Sequence, residues 1–293
     1  MKNFIFTILL IVIILFNYTS AQELEISLVM DKTNYLKYET IESLAELKNI
    51  SSQIAIVTEP FNAEISNSGI EILLFDSTGN TMHSIGRTII HGYLEEQIKL
   101  LPKQFLMSFI HVTQSGFGQS IQGSGTRVAL ENAYLPAGEY KIQLSYTYVS
   151  DKVERKIYSN ICQFNISKPT EDDLKIINEI REVNGKMFSI PGTKYPESVK
   201  TIFNSYPNHV YTLSVYKDFL TTVYQKESDQ REYLLKMIED HPTSFLTLLS
   251  VIGCPTISED FRNIASAQLK EKSELNKTML EKYENYKKIV NRK

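Results

Sequence analysis

The sequence predicts a two-part chain, an antiparallel β-sandwich followed by an all-helical domain. Three observations predict it. In the first part apolar residues alternate with polar ones, as in Tyr140, Ile142, Leu144 and Tyr146 against Lys141, Gln143, Ser145 and Thr147. After Lys168-Pro169-Thr170 the spacing changes to three, as in Leu174, Ile177, Ile180 and Val183, which is helical. The charge balance changes at the same place. Residues 22–167 carry 16 acids and 11 bases, whereas residues 168–293 carry 18 and 19.

Residues 1–21 have the layout of a cleaved signal peptide. Lys2 supplies the positive start, Phe4 to Phe16 form an apolar run broken only by Thr7, and Asn17 to Ala21 end it with polar and small residues. The run is shorter than the roughly 20 apolar residues of a membrane-spanning helix. Gln22 rather than Cys follows, which argues against a lipid anchor. Removing Lys2 takes the net charge from −3 to −4. Hydrophobic content of 42% and charged content of 22% suit a globular protein. No later apolar run is long enough to span a bilayer, so no stable membrane insertion is expected after cleavage. Neither part has the basic excess of a nucleic-acid-binding surface.

The strands follow in order. Leu24, Ile26 and Leu28 alternate with Glu25, Ser27 and Val29. Ile41, Leu44, Ala45 and Leu47 form a less regular run. Ile54 to Thr58 is rich in β-branched residues, which favour strands. Ile70 to Phe75 makes a strand closed by Asp76-Ser77-Thr78-Gly79-Asn80, a turn composition. Phe105 to Val112, the Tyr140 segment and Val153 to Ile166 complete at least seven strands with no strong helix signal between them, which argues for a sandwich.

In Leu135-Pro136-Ala137-Gly138-Glu139-Tyr140, the Tyr140 hydroxyl can reach back to the preceding backbone. This resembles the tyrosine corner of immunoglobulin-like sandwiches. The opening segment, with Tyr35, Glu39 and Leu47-Lys48-Asn49, is similar to bacterial secreted immunoglobulin-like modules. The resemblance covers roughly residues 22–167 and implies an immunoglobulin-like β-sandwich. The chain has no Trp, so the cysteine–tryptophan–cysteine core of antibody domains is absent.

Residues 168–293 read as helices. Thr170 can cap the first, with Glu171, Asp172 and Asp173 suiting its positive end. Asn184-Gly185 signals its stop, residues 186–195 read as a loop, and Pro196 suits a new first turn. An internal repeat follows: Tyr206-Pro207 and His241-Pro242 lie 35 residues apart, each ending one helix and preceding another apolar one. The period and the Tyr206-Pro207-Asn208 junction resemble tetratricopeptide repeats, whose period is about 34 residues. That resemblance implies paired helices in a recognition module. An unrelated bundle with prolines in its turns fits the same residues. Thr256 and Glu259 have capping-box spacing for the last helix. Leu275, Met279, Tyr283, Tyr286 and Val290 give that helix a packing stripe, and Lys287, Lys288, Arg292 and Lys293 suit its negative end.

For catalysis, the candidate is the Gly/Ser-rich loop 114–125. Ser120 or Ser124 would be the nucleophile and His111 the base. The loop lacks nucleophile-elbow spacing and the Gly-Lys-Ser/Thr of a phosphate-binding loop, so it reads as a connection between strands. His83, His91, His111, His209 and His241 are scattered, with no zinc-pair spacing. Glu95-Glu96 and Asp172-Asp173 are adjacent, which on a strand points them to opposite faces and at a helix start makes caps. Asp31, Asp76 and Asp151 sit in turns without a calcium-loop pattern. No residue is assigned a catalytic, cofactor-binding or metal-binding role. Cys162 and Cys254 read either as a disulfide, which export permits, or as two small buried hydrophobes. Asn49, Asn165 and Asn276 open sequons that matter only in a glycosylating host; the Asn-, Ile- and Lys-rich style looks bacterial.

The resulting expectation is an exported protein, periplasmic or extracellular, that binds a protein partner or scaffolds without catalysing a reaction. The alternatives are an exported hydrolase using loop 114–125 and a proteinase inhibitor presenting a loop. No cofactor and no nucleic-acid partner are expected.

Overall fold

A computed structural model describes residues 24–59, 69–82, 96–112, 135–150, 153–187, 197–221, 227–254 and 257–290. Residues 1–21, the loop 114–125, His83, His91, Glu95, Asp151, Pro196, Thr256, Arg292 and Lys293 lie outside them.

Eleven strands come first among the described residues: β1 Leu24–Met30, β2 Asn34–Leu36, β3 Glu42–Asn49, β4 Ala55–Glu59, β5 Ile70–Phe75, β6 Thr81–Met82, β7 Glu96–Leu100, β8 Phe105–His111, β9 Gly138–Ser150, β10 Val153–Tyr158 and β11 Cys162–Ser167. They form a three-stranded sheet β1-β3-β8, a larger sheet β2-β11-β9-β5-β6 with β10 also on β9, and the pair β4-β7.

The strands do not form the expected antiparallel immunoglobulin-like sandwich. The larger sheet is mixed, because β2 runs parallel to β11, with Ile166 opposite Tyr35. The chain leaves β1 in one sheet, turns at Asp31–Thr33, and enters the edge of the other in the direction of β11. Asn165 N–H on Thr33 O (2.8 Å) and Lys37 N–H on Ser167 O (2.9 Å) fix the crossing. Inside this sheet Tyr35 packs edge-on against Phe164, with centroids 5.9 Å apart. A three-residue strand with one inward side chain leaves no alternation to read. The Tyr140 hydroxyl does donate to Pro136 O at 2.8 Å, so the local corner forms in a mixed sheet and not in an antiparallel immunoglobulin-like one.

The β1-β3-β8 sheet is covered on both faces. Leu24, Ile26, Leu28, Ala45, Leu47, Leu106 and Ile110 share a core with the larger sheet. Val29, Leu44, Phe105, Met107 and Phe109 join the helices' core instead. The result is three layers: mixed sheet, middle sheet, helices. Burial on both faces removes the polar half of the alternation. That is why the β3 segment reads irregularly in sequence.

Seven helices follow among the described residues: α1 Glu171–Met187, α2 Glu197–Ser205, α3 Val210–Thr221, α4 Glu227–Asp240, α5 Phe245–Gly253, α6 Glu259–Lys272 and α7 Glu274–Val290. At the start of α1, Asp173 N–H bonds Thr170 Oγ1 at 3.2 Å while the Asp173 carboxylate accepts the Thr170 N–H at 2.7 Å, a reciprocal cap. Two expectations fail. The first helix runs through Asn184-Gly185 to Met187, since one glycine costs a helix only about 1 kcal/mol. The last helix is two helices, α6 and α7. Ser273 breaks them apart, its Oγ accepting the Asn276 N–H at 3.1 Å.

The 35-residue repeat is real in the turns. Tyr206 N–H bonds Ile202 O, and His241 N–H bonds Met237 O, both at 2.9 Å. Thr212 Oγ1 bonds Tyr206 O at 2.9 Å, and Thr247 Oγ1 bonds His241 O at 2.7 Å. Successive turns are then tied to each other. His241 Nε2 reaches Pro207 O (2.9 Å), and Asn276 Nδ2 reaches Pro242 O (2.5 Å).

Candidate functional site

The ionisable residues gather at two places. The first is the junction between the middle sheet and the helices. In the β3–β8 register Glu42 lies opposite His111, and both share the strand face of Leu44 and Met107. His111 Nδ1 and Glu42 Oε2 share a hydrogen bond of 2.5 Å. Glu42 is 1% exposed, and its Oε1 is buried without a hydrogen-bond partner among the described residues. Burial pushes the Glu42 carboxyl above its ordinary range, and the His111 contact only partly offsets this.

Beside it, Asp31 joins three elements. Its Oδ1 accepts from the Tyr35 hydroxyl (2.6 Å), and its Oδ2 accepts the Phe245 N–H at the start of α5 (3.1 Å). Burial and then the Asp31 carboxylate push the Tyr35 hydroxyl well above the ordinary phenol range. Glu39 is paired with Lys32 and accepts the Leu36 N–H at 2.9 Å. Burial raises its carboxyl despite the lysine. The Tyr211 hydroxyl donates to Lys37 O at 2.6 Å. Each of these contacts joins a strand, a crossing loop or a helix to its neighbour.

The other candidates divide as follows. His209 Nε2 bonds Asp173 at 2.8 Å and so belongs to the α1 cap. Burial raises Asp173, but bonds from Thr170 and His209 outweigh this and hold it below the usual carboxylate range. His241 is pushed down by burial, and its Nε2 must carry the proton because a carbonyl only accepts. Asp76 closes the β5–β6 turn, accepting the Thr78 and Asn80 N–H groups at 2.9 Å each. Cys162 and Cys254 form no disulfide; the Cys254 thiol donates to Leu220 O at 3.0 Å. Asn49 and Asn276 are buried and hold loops through their side chains, so neither sequon is open to a glycan in the folded chain. Ser120 and Ser124 lie outside the described residues.

The second place is a groove of about 600 Å³ between the end of α5 and the facing sides of α6 and α7. Glu259, Arg262, Asn263 and Ser266 line it from α6 at helical intervals, and Leu280, Tyr283, Glu284, Lys287 and Lys288 from α7. Val251, Ile252, Ile257 and Leu280 supply its apolar part. The expected α7 stripe therefore divides: Met279 and Leu275 pack inward, while Tyr283 faces the groove. Burial raises the Tyr283 hydroxyl, and Arg262 partly offsets it. Lys287 Nζ stands 5.5 Å from the Tyr283 ring centre. Sequence reading missed Arg262 and this groove. The signal was present in the polar spacing Glu259, Arg262, Asn263 and Ser266 on α6 and in Tyr283, Glu284, Lys287 and Lys288 on α7.

Among the described residues no group of three or more His, Cys, Asp or Glu is placed to hold a metal ion. Nor is any helix long and apolar enough to cross a membrane.

No protein family and no curated protein matches the chain. Solved structures give faint likenesses. A mutant beta-glucosidase from Listeria innocua, in complex with laminaribiose, matches at TM-score 0.26 and 12% identity, over 50% of this chain and 16% of that one. Spo0M, a sporulation control protein from Bacillus subtilis, matches at TM-score 0.26 and 7% identity, over 55% of each chain. Beta-D-glucoside glucohydrolase from Trichoderma reesei matches at TM-score 0.26 and 9% identity, over 50% of this chain and 19% of that one. At these scores the likenesses carry no argument about fold or function.

Proposed function

We propose that the chain is an exported, non-enzymatic binding or scaffolding protein of the cell envelope or extracellular space. One observation carries the reading. The half-buried ionisable groups that the sequence offered for chemistry are used as ties between layers and turns. The layout of residues 1–21 supports export. In-cell crosslinking of the tagged full-length protein, followed by fractionation, tests it. One stoichiometric protein partner in the envelope or medium is expected. A chain found free in every fraction sinks the reading.

A hydrolase is the second reading, and one observation favours it. His111 Nδ1 on a buried carboxylate is the arrangement that orients a catalytic base. A serine-reactive probe decides it: labelling lost in Ser120→Ala or Ser124→Ala supports it, and no labelling removes it.

A further inference from the structure

Exposed apolar side chains gather at one end of the strands: Ile50 (46% exposed), Ile54 (54%), Ile56 (52%) and Leu101 (45%). They sit on the turns 49–54 and 100–104 and on the start of β4. The run Ile54-Ala55-Ile56-Val57 is apolar at every position, as in a strand covered on both faces. Yet only Ala55 and Val57 are buried, opposite the buried Leu100 and Ile98. Ile56 stands opposite Lys99 on the outward face. The turns are held firmly. Asn49, fully buried, donates to Gln53 O and Leu100 O at 2.7 Å each, and its Oδ1 accepts the Ser51 N–H at 2.9 Å. Lys103 N–H bonds Asn49 O, and Asn49 N–H bonds Gln104 O, both at 2.9 Å. One buried side chain thus clamps both turns and keeps their apolar side chains in solvent.

The free charges at this end are cations. Lys99 and Lys103 are exposed, and among the described residues neither pairs with a carboxylate. Segments 48–56 and 97–104 contain no Asp or Glu. Glu25 stands opposite Lys48, which answers its charge, and Glu59 and Glu96 close the far end of the β4–β7 pair. The chain also enters the fold here, because Leu24 lies opposite Asn49. Residues 17–23 separate Leu24 from the apolar run ending at Phe16, a reach of about 28 Å at most.

We infer that this end is a membrane-contact surface: Ile50, Ile54, Ile56 and Leu101 enter the headgroup region of an anionic bilayer, and Lys99 and Lys103 meet its phosphates. Apolar side chains rimmed by lysines are what an interfacial contact requires. The chain from Gln22 carries a net charge of −4, so attraction to anionic lipid must come from a local patch such as this. A second copy or a protein would answer the apolar residues; the unpaired lysines and the nearby apolar run favour lipid. The contact is peripheral and needs no spanning helix. It goes beyond the partner reading and does not rest on it.

The test takes the chain from Gln22, which holds every described residue, because residues 1–21 are themselves largely apolar. Co-sedimentation is measured with vesicles of phosphatidylcholine containing one-third phosphatidylglycerol and with vesicles of phosphatidylcholine alone. Binding to the anionic vesicles is expected. It should weaken about tenfold or more on neutral vesicles, in Lys99→Gln with Lys103→Gln, and in Ile54→Ser with Leu101→Ser. The same loss of charge on α7, Lys287→Gln with Lys288→Gln, should change binding by less than about twofold. All the substituted side chains are exposed, and near-UV circular dichroism checks each fold; if one tip variant unfolds, the other decides. No binding at millimolar lipid, equal binding to both vesicles, binding that survives in a folded tip variant, or an equal loss in the α7 variant overturns the inference. So does a dimer, seen by sedimentation velocity and abolished by Ile54→Ser with Leu101→Ser, in place of vesicle binding. The probe is lipid alone, so its failure leaves the crosslinking result standing.

Discussion

Two residues make sharp demands on their positions. Gly69 adopts φ +73°, and a Cβ there would stand 2.6 Å from Thr147 O. The same two residues are tied by a hydrogen bond through other atoms, Thr147 N–H to Gly69 O at 2.9 Å, so the backbones cannot simply move apart. Gly69→Ala is expected to cost about 2 kcal/mol or more, read by chemical denaturation; a loss below about 0.5 kcal/mol would show that the strand end yields. Glu42 makes the opposite kind of demand. Its folded carboxyl holds a proton more readily than its unfolded one. Its contribution to stability is therefore fully present below about pH 4.5, its unfolded value, and is lost as pH rises through the higher folded value. Glu42→Gln keeps an acceptor for His111 and removes the buried charge. The variant should melt at or above the wild-type temperature at about pH 7.5, with the gap closing toward about pH 4. A variant that melts lower by the same amount at both pH values would show that the carboxylate is needed as a charge. Neither demand was legible in sequence. Glu42 sits in a strand whose neighbours are apolar, and nothing local says that its partner lies 69 residues away at His111.

At the scale of elements, what the sequence disclosed depended on how many faces an element buries. β1 and β9 were legible because each keeps polar residues on one side over much of its length. β3 was blurred because helices cover the face that would otherwise be polar. β7 was missed, although Ile98 and Leu100 point inward between exposed Gln97 and Lys99, because it offers only two inward positions. The helical turns were legible because proline and a following Thr mark each one. Their linkage was not, since it runs from one turn to the next. His241 is the informative case. Burial keeps it neutral, so the unfolded chain takes up its proton first as pH falls through about 6.5. Stability from this residue is present above that value and lost below it. In His241→Gln the amide N–H can still reach Pro207 O. Between about pH 7.5 and 5.5 the melting temperature of the wild type should fall more than that of the variant. Parallel curves would mean that His241 stays uncharged on unfolding or charges in both states.

At the scale of the whole molecule, the middle sheet makes the strands and helices depend on each other. Leu44 and Met107 sit in the helical core although they are strand residues, and Asp31 caps α5 from the loop after β1. Lys282 and Glu46 add an ion pair at 2.6 Å, partly exposed and worth no more than about 1 kcal/mol. The apolar contact dominates, because Leu44, Phe105, Met107 and Phe109 all pack into the helical core. Residues 22–167 alone would expose Leu44, Phe105, Met107 and Phe109 together, a patch of the kind that drives aggregation. The full chain should therefore unfold in one transition by both near-UV and far-UV circular dichroism, since helices and strands lose their shared core together. Leu44→Ala, at a site 2% exposed, should cost about 2–5 kcal/mol and shift that transition without splitting it. Two separated transitions, with Leu44→Ala moving only the strand signal, would show that the layers fold independently and that the sheet–helix core adds contact without coupling.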